Sequence, residues 1–343
     1  MTIEEYRDTG SLNKEYFVYE PSRGEWDAFV TLQAHPHVLQ LSGYGELKKS
    51  FGWGIKRLCL LNKASQIVGG TQILLKSVSD ELLKEAYIPM GPYISGDCNW
   101  DDLWRIVNTN LSPIAKSLKW EPGIYSGEIP DFEKWGFKST NENIQPPRTI
   151  MVNLQGTDDE LLARMNQGTR RKIRQCREKG VQIYKGSFED IDAFNALMFD
   201  TANRKEFHAR DANYQKLAYE FYKEGNFVEL LMARIGAKHL AGIMVFAVGD
   251  TAWYLYGASS STDREFMASY GLQWEAIKWA RGRGCKQYDL WGIPDAEPEV
   301  LETEFQKRSD GLWGVYGFKR GFGGKIIRSV GALVKTYEIP STE

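Results

Sequence analysis

Residues 58–75 read LCLLNKASQIVGGTQILL, and residues 230–247 read LLMARIGAKHLAGIMVFA. Each stretch has a short apolar run, a polar turn, a pair of small residues (Gly69-Gly70, Ala241-Gly242) and a second apolar run. This is the pattern of a β-hairpin whose second strand opens where backbones approach closely. The copies lie about half a chain apart, which reads as a duplicated unit.

The surroundings repeat as well. Pro89-Met90-Gly91-Pro92-Tyr93 follows the first hairpin, and Trp253-Tyr254-Leu255-Tyr256-Gly257-Ala258 follows the second. Helical spacing is then expected from Trp100 to Lys116 and from Tyr270 to Arg283. Each helix leads to another strand, Ser117–Trp120 or Lys286–Leu290. Each half then offers an aromatic-Gly-Phe-Lys step, Trp135–Lys138 or Tyr316–Lys319. The order predicts an α/β chain with mixed sheets flanked by helices. Gln145-Pro146-Pro147-Arg148 is the candidate linker. Beyond it Thr149–Leu154 alternates as a strand, and Thr157 with Glu160 forms a capping box for a helix. That helix is expected to break or bend near Gly168 and to end at Gly180, with a strand over Val181–Tyr184. Its second part is basic: Arg170, Arg171, Lys172, Arg174, Arg177 and Lys179 against Glu178 alone.

Composition narrows the class. A chain of 343 residues favours two cores over one. Hydrophobic residues make up 42% and charged residues 26%, which excludes collagen-like, mucin-like and wholly disordered chains. Forty-three basic against forty-five acidic residues leave a formal charge of -2, so a polyanionic partner would need a local patch. Cys59, Cys98, Cys176 and Cys285 are far apart, as are His35, His37, His208 and His239, so no metal site is expected. Met1–Gly10 is acidic and polar, unlike a secretory signal. No apolar run approaches the roughly 20 residues that span a bilayer. The expected setting is cytoplasmic, with transient contact at the inner membrane face left open.

Several spaced segments carry a resemblance. They are Gln40…Tyr44-Gly45-Glu46-Leu47-Lys48-Lys49…Phe51-Gly52-Trp53, Thr149–Leu154 with its basic helix, Trp253–Tyr256, Tyr288-Asp289-Leu290-Trp291-Gly292-Ile293, and Gly317-Phe318-Lys319-Arg320-Gly321-Phe322-Gly323-Gly324. In order and spacing they resemble the Fem family of peptidoglycan aminoacyltransferases, in its short form without a coiled-coil arm. The likeness implies two acetyltransferase-like (GNAT-like) domains in tandem. These would be residues 1–147 with a C-terminal return over 325–343, and residues 148–324. It implies transfer of an amino acid from aminoacyl-tRNA to a stem-peptide amine of a peptidoglycan precursor, either lipid II or UDP-MurNAc-pentapeptide. That reaction forms the interpeptide bridge of the cell wall and needs no cofactor.

The resemblance also implies site residues. Lys48 and Arg210 match phosphate-contacting positions, with Tyr214 beside Arg210, and cations of this kind suit a diphosphate. Tyr256 matches a tyrosine lining the stem-peptide groove. Strand alternation is expected to put Tyr254 on the same face. Lys319 matches a lysine near the acyl-transfer centre and is expected at a strand start or bend. The family carboxylate falls at Glu121, where the family carries aspartate. Asp289 is the other candidate base, and a third route has the tRNA itself accept the proton. The basic helix, through Arg170, Arg171, Lys172 and Arg174, is a candidate tRNA-acceptor surface. Two alternatives stay open: an acyl-CoA-dependent N-acyltransferase of GNAT type, and a two-domain binder of nucleotide-sugar or tRNA without turnover.

Overall fold

A computed structural model describes residues 16–77, 83–96, 98–124, 130–205, 211 and 213–338. The chain divides into two compact units, Met1–Pro147 with Ser329–Glu343, and Arg148–Arg328. The first unit begins with β1 (Phe17–Tyr19), α1 (Arg23–Thr31) and α2 (Ser42–Lys49). It continues with β2 (Trp53–Leu61), β3 (Ile67–Ser77), β4 (Lys84–Pro89), β5 (Tyr93–Ile94), α3 (Trp100–Leu111), β6 (Ala115–Glu121) and β7 (Lys138–Thr140). The second unit holds β8 (Arg148–Asn153), α4 (Asp158–Arg164), α5 (Gln167–Glu178), β9 (Gln182–Lys185), α6 (Ile191–Lys205) and α7 (Asn213–Lys223). Then come β10 (Val228–Ile235), β11 (Lys238–Val248), β12 (Thr251–Ser259), α8 (Ala268–Gly282), β13 (Gln287–Asp289), α9 (Pro298–Glu304), α10 (Trp313–Lys319) and β14 (Lys325–Arg328). The strand β15 (Ala332–Thr336) returns to the first unit.

The first sheet runs β1-β2-β3-β4-β6-β15-β7, with β5 also on β3. The second runs β14-β8-β13-β12-β11-β10-β9. Each contains one parallel pair, β4 with β6 and β12 with β13. Both expected hairpins form, as β2-β3 and β10-β11. Their small residues sit where expected. A Cβ on Gly70 would lie 2.7 Å from the Leu58 carbonyl oxygen, and one on Gly242 would lie 2.6 Å from the Phe194 ring.

Much of the aromatic content is core. Trp104 contacts Trp120 at 4.5 Å and Phe137 at 4.8 Å between ring centroids, and all three are buried. In the second unit Leu272, Ala276, Ile277 and Ala280 of α8 pack under β11 and β12 with Ile243, Val245 and Tyr288.

Four local expectations are corrected. The helix from Trp100 stops at Leu111, because Pro113 lacks the N–H that a further turn would use, and Lys116 lies in β6. The interruption of the basic helix expected near Gly168 is a full break, and it falls a few residues earlier. The helix breaks at Met165, whose backbone is extended, and Asn166 caps α5 by accepting from Thr169 N–H at 2.7 Å. Lys325–Arg328 pairs with β8, so the segment that enters the first sheet starts after it. The two aromatic-Gly-Phe-Lys steps also differ. Gly136 has φ 82° and turns the chain into β7, whereas Gly317 lies inside α10.

Candidate functional site

In the first unit a buried polar network fixes α2 against the sheet. Gln40 Nε2 donates to Pro89 O at 2.6 Å, and Gln40 Oε1 accepts from Gln72 N at 2.9 Å. Arg57 Nε donates to Gln72 Oε1 at 3.0 Å, and its Nη2 meets Glu46 at 2.8 Å. Gly45 is required at the close approach, since a Cβ there would sit 2.4 Å from Gln72 Oε1. The Gln40…Tyr44-Gly45-Glu46 segment is therefore a helix anchor. It leaves Lys48 in the last turn of α2, with Nζ 5.3 Å from the Tyr44 ring centre and 5.6 Å from that of Trp53. An ammonium over two aromatic faces is held electrostatically, and Lys48 as a residue is half-buried.

Glu121 ends β6 and is buried. Its Oε2 accepts from the Tyr87 hydroxyl at 2.5 Å, and its Oε1 from Ile144 N–H at 2.5 Å. Gln145 N–H spans both oxygens at 3.1 and 3.2 Å. Burial raises its pKa, and these donors oppose the rise. A carboxylate engaged on both oxygens is well built to tie β6 to the segment after β7. It is poorly placed to receive a proton from a substrate.

Asp289 holds the matching place in the second unit. Glu121 pairs with Pro89 at the end of one parallel ladder, and Asp289 pairs with Trp253 at the end of the other. In open α/β sheets such carboxyl ends are where ligands gather. The surroundings of the two carboxylates differ. Asp289 is fully buried, and Oδ1 accepts from the Thr149 hydroxyl and from Trp291 N–H at 2.7 Å. Oδ2 has no hydrogen-bond partner among the described residues. Burial lifts the Asp289 pKa to about 6, against the pull of its hydrogen bonds and of the Lys319 charge.

Lys319 closes α10 and is buried, which corrects its expected place at a strand start or bend. Trp313 and Tyr316, one turn apart, bury one face of the helix in the second core, and Phe318 packs against that core only in part. Its Nζ donates to the carbonyls of Trp291 at 3.0 Å and Gly292 at 2.7 Å. The Tyr254 ring centre lies 5.8 Å away. Arg320 turns instead to Glu302.

The structure separates the two groove tyrosines. Met244 pairs with Tyr256, but the next residue, Val245, pairs with Tyr254, so Leu255 is an extra residue in β12. The bulge turns Tyr254 and Tyr256 to opposite faces and overturns the simple alternation. Tyr254 packs on the α8 side near Lys319. Tyr256 meets Tyr214 edge-on at 6.0 Å and Phe246 at 5.8 Å on the other side. Tyr214 itself is buried in α7. Arg210 lies outside the described residues.

The basic helix is only partly available. Arg170 Nη1 donates to Met165 O at 2.6 Å and caps the end of α4, and Lys172 Nζ donates to the Tyr270 hydroxyl at 2.9 Å. Arg174 lies 3.5 Å from Glu178 on an exposed face. Between α5, β9 and α8 runs a groove of about 1030 Å³, with Arg171, Arg174 and Arg177 on its rim and Ile173, Val181 and Ile183 beneath. Arg177 belongs to the basic run but not to the four expected tRNA-facing residues; the register of α5 brings it to the rim beside Arg174.

Sequence reasoning missed Thr149, Trp291 and Tyr87. The Asp-Leu-Trp-Gly run offered a signal for Trp291, because an aspartate two residues ahead of a turn commonly accepts its N–H.

Among the described residues no group of His, Cys, Asp and Glu could hold a metal ion, and all four cysteines are free thiols. Nor is any helix among them long and apolar enough to cross a membrane. A model of the FemAB family matches residues 132–239 and 235–338. The chain belongs to the FemAB family. Two relatives named lipid II:glycine glycyltransferase agree with this membership. One, from Staphylococcus epidermidis (strain ATCC 35984), is 24% identical over 89% of each chain. The other, from Staphylococcus aureus (strain MRSA252), is 24% identical over 90% of each. The crystal structure of FemX superposes with a TM-score of 0.81 at 21% identity, covering 93% of this chain and 97% of that one. A tandem GNAT protein from the clavulanic acid pathway gives a TM-score of 0.53 at 10% identity, covering 95% and 100%. The fold is therefore that of two GNAT-like domains in tandem, as FemAB membership implied.

Proposed function

We propose that this FemAB-family chain is an aminoacyltransferase that moves an amino acid from aminoacyl-tRNA to an amine in the stem peptide of a peptidoglycan precursor. The relatives named lipid II:glycine glycyltransferase support a lipid-linked acceptor and bridge formation. The amine nitrogen attacks the ester carbonyl, a C–N bond forms, and the ester C–O bond breaks. The ribose hydroxyl of the tRNA leaves with the proton that the amine gives up. Because the ester is already activated, the protein's part is to align two anionic substrates and stabilise a developing oxyanion.

The observation that carries this reading is the buried ammonium of Lys319, fixed by two carbonyls at the carboxyl end of the second sheet's parallel pair. A preorganised cation of this kind suits the oxyanion. Lys48, presented by α2 over two rings, suits a precursor phosphate, and Arg210 is assigned the same role. Tyr256 and Tyr214 form the aromatic wall assigned to the acceptor, with Tyr254 on the Lys319 side. The arginine rim of α5 suits the phosphates of the tRNA acceptor stem. The reaction is placed in the cytoplasm, at the inner membrane face when the acceptor is lipid-linked.

The test is transfer of radiolabelled amino acid from charged tRNA to lipid II and, separately, to UDP-MurNAc-pentapeptide. Labelled product with either acceptor supports the reading. Product only with an acyl-CoA donor, or precursor binding with no product from any charged tRNA, overturns it.

A further inference from the structure

The backbone just beyond β13 adopts a conformation that its sequence does not favour. Trp291 has φ 61°, in the left-handed region that a bulky residue with a Cβ rarely adopts. Such a turn persists only when its surroundings hold it. On either side the chain is pinned to β8, by Leu290 N–H to Ile150 O at 3.0 Å and by Ile293 N–H to Arg148 O at 3.0 Å. Residues 291 and 292 are thus looped out between two anchors. What fixes the loop internally is Asp289 Oδ1, which accepts from Trp291 N–H at 2.7 Å. That oxygen is itself oriented by the Thr149 hydroxyl. The carbonyls of the same looped residues, Trp291 and Gly292, are the acceptors for Lys319 Nζ at 3.0 and 2.7 Å. The hydrogen bonds therefore form one chain, from Thr149 through Asp289 and the turn to Lys319. Asp289 is fully buried, whereas Lys319, at the end of α10, keeps a trace of exposure.

We propose that Asp289 is a positioning residue for Lys319, acting through the Trp291–Gly292 turn and not as the proton acceptor. This rests on the assignment of Lys319 to the acyl-transfer centre, and the experiment separates the two claims. Turnover is measured for Asp289→Ala, Asp289→Asn, Lys319→Met and the Asp289→Ala/Lys319→Met double variant. In parallel, the labelling rate of the Lys319 amine by an acylating reagent is followed by peptide mass spectrometry.

Asp289→Ala is expected to lower kcat about tenfold or more, with both KM values within about twofold. Asp289→Asn keeps an oxygen able to accept the same two bonds and recovers most of that loss. The double variant is no slower than Lys319→Met, since the aspartate acts through the lysine. Lys319 labels about tenfold faster in Asp289→Ala than in the parent, and only slightly faster in Asp289→Asn.

An Asp289→Asn variant as slow as Asp289→Ala would mean that the charge itself is used, which overturns the proposal. So would a double variant whose losses multiply, or an unchanged labelling rate in Asp289→Ala. If Lys319→Met retains full turnover, the role given to Lys319 fails, while the labelling rates still decide whether Asp289 holds the ammonium. Should Asp289→Ala fail to fold, Thr149→Val removes one of the two bonds and is expected to raise labelling in the same direction by a smaller factor.

Discussion

Tyr254 and Tyr256 stand two positions apart on one strand and face opposite sides of the sheet, because the pairing shifts by one residue between Met244 and Val245. Their environments are then separate. Substitutions to alanine at the two positions should be additive in urea unfolding to within about 0.5 kcal/mol. Tyr256 and Tyr214 touch, so that pair should show a coupling of roughly 0.5–1.5 kcal/mol. Coupling between Tyr254 and Tyr256 of the same size would contradict the bulge.

Glu121 accepts from one hydroxyl and two peptide N–H groups. Replacing it by glutamine turns an NH₂ toward those donors and should cost about 1.5–3 kcal/mol of stability. Turnover below the melting transition should fall less than about tenfold, since general-base roles are worth roughly 10²–10⁴. A loss of a hundredfold or more in a folded variant would restore Glu121 as the base.

The pH dependence of stability should carry the mark of Asp289. Its folded pKa is raised from 3.8 to about 6. A carboxyl whose folded pKa is raised binds its proton more tightly in the native state, so stability is greatest at low pH and falls as pH climbs from 3.8 to about 6. The difference corresponds to about 3 kcal/mol. Asp289→Asn should remove this slope, so its melting temperature should gain on the parent's between pH 4 and about pH 7. Parallel melting curves across that range would argue against a buried ionised carboxylate.

At the first hairpin, Gly70→Ala would bring a Cβ to 2.7 Å from backbone. Backbone cannot step aside as a side-chain tip can, so a loss of about 1–3 kcal/mol is expected in denaturant titration. An unchanged midpoint would show that β2 and β3 have room to part.

Along α5, Arg171 and Arg177 line the groove rim, and no carboxylate pairs with either among the described residues. If tRNA phosphates lie there, charge reversal at both positions should weaken binding in filter assays. The slope of log K against log salt should shrink by about 1 for each phosphate that the variant no longer neutralises. An unaltered slope would move the RNA interface elsewhere.

The duplicated hairpins, the strand-helix-strand order and the capping box at Thr157 are all readable in the sequence, because each depends on local periodicity, small residues or caps. Resemblance points to Lys319 but not to its burial in a helix, since Gly317-Phe318 favours no single local state. The β12 bulge escapes for a related reason: Trp253–Tyr256 alternates well either way, and only the pairing with β11 decides the register. Trp291 is hidden because its backbone conformation is imposed by partners, Asp289 foremost, against its own preference.

The strand β15 lies between β6 and β7, and Ala332 N–H reaches Asn143 Oδ1 across a sequence distance of 189 residues. A ribosome therefore releases the first sheet with a gap in it and finishes the whole second unit before supplying the missing piece. The half that is translated first is the half that matures last. Until then β6 and β7 are exposed edges that a chaperone, or a neighbouring nascent chain, could grasp.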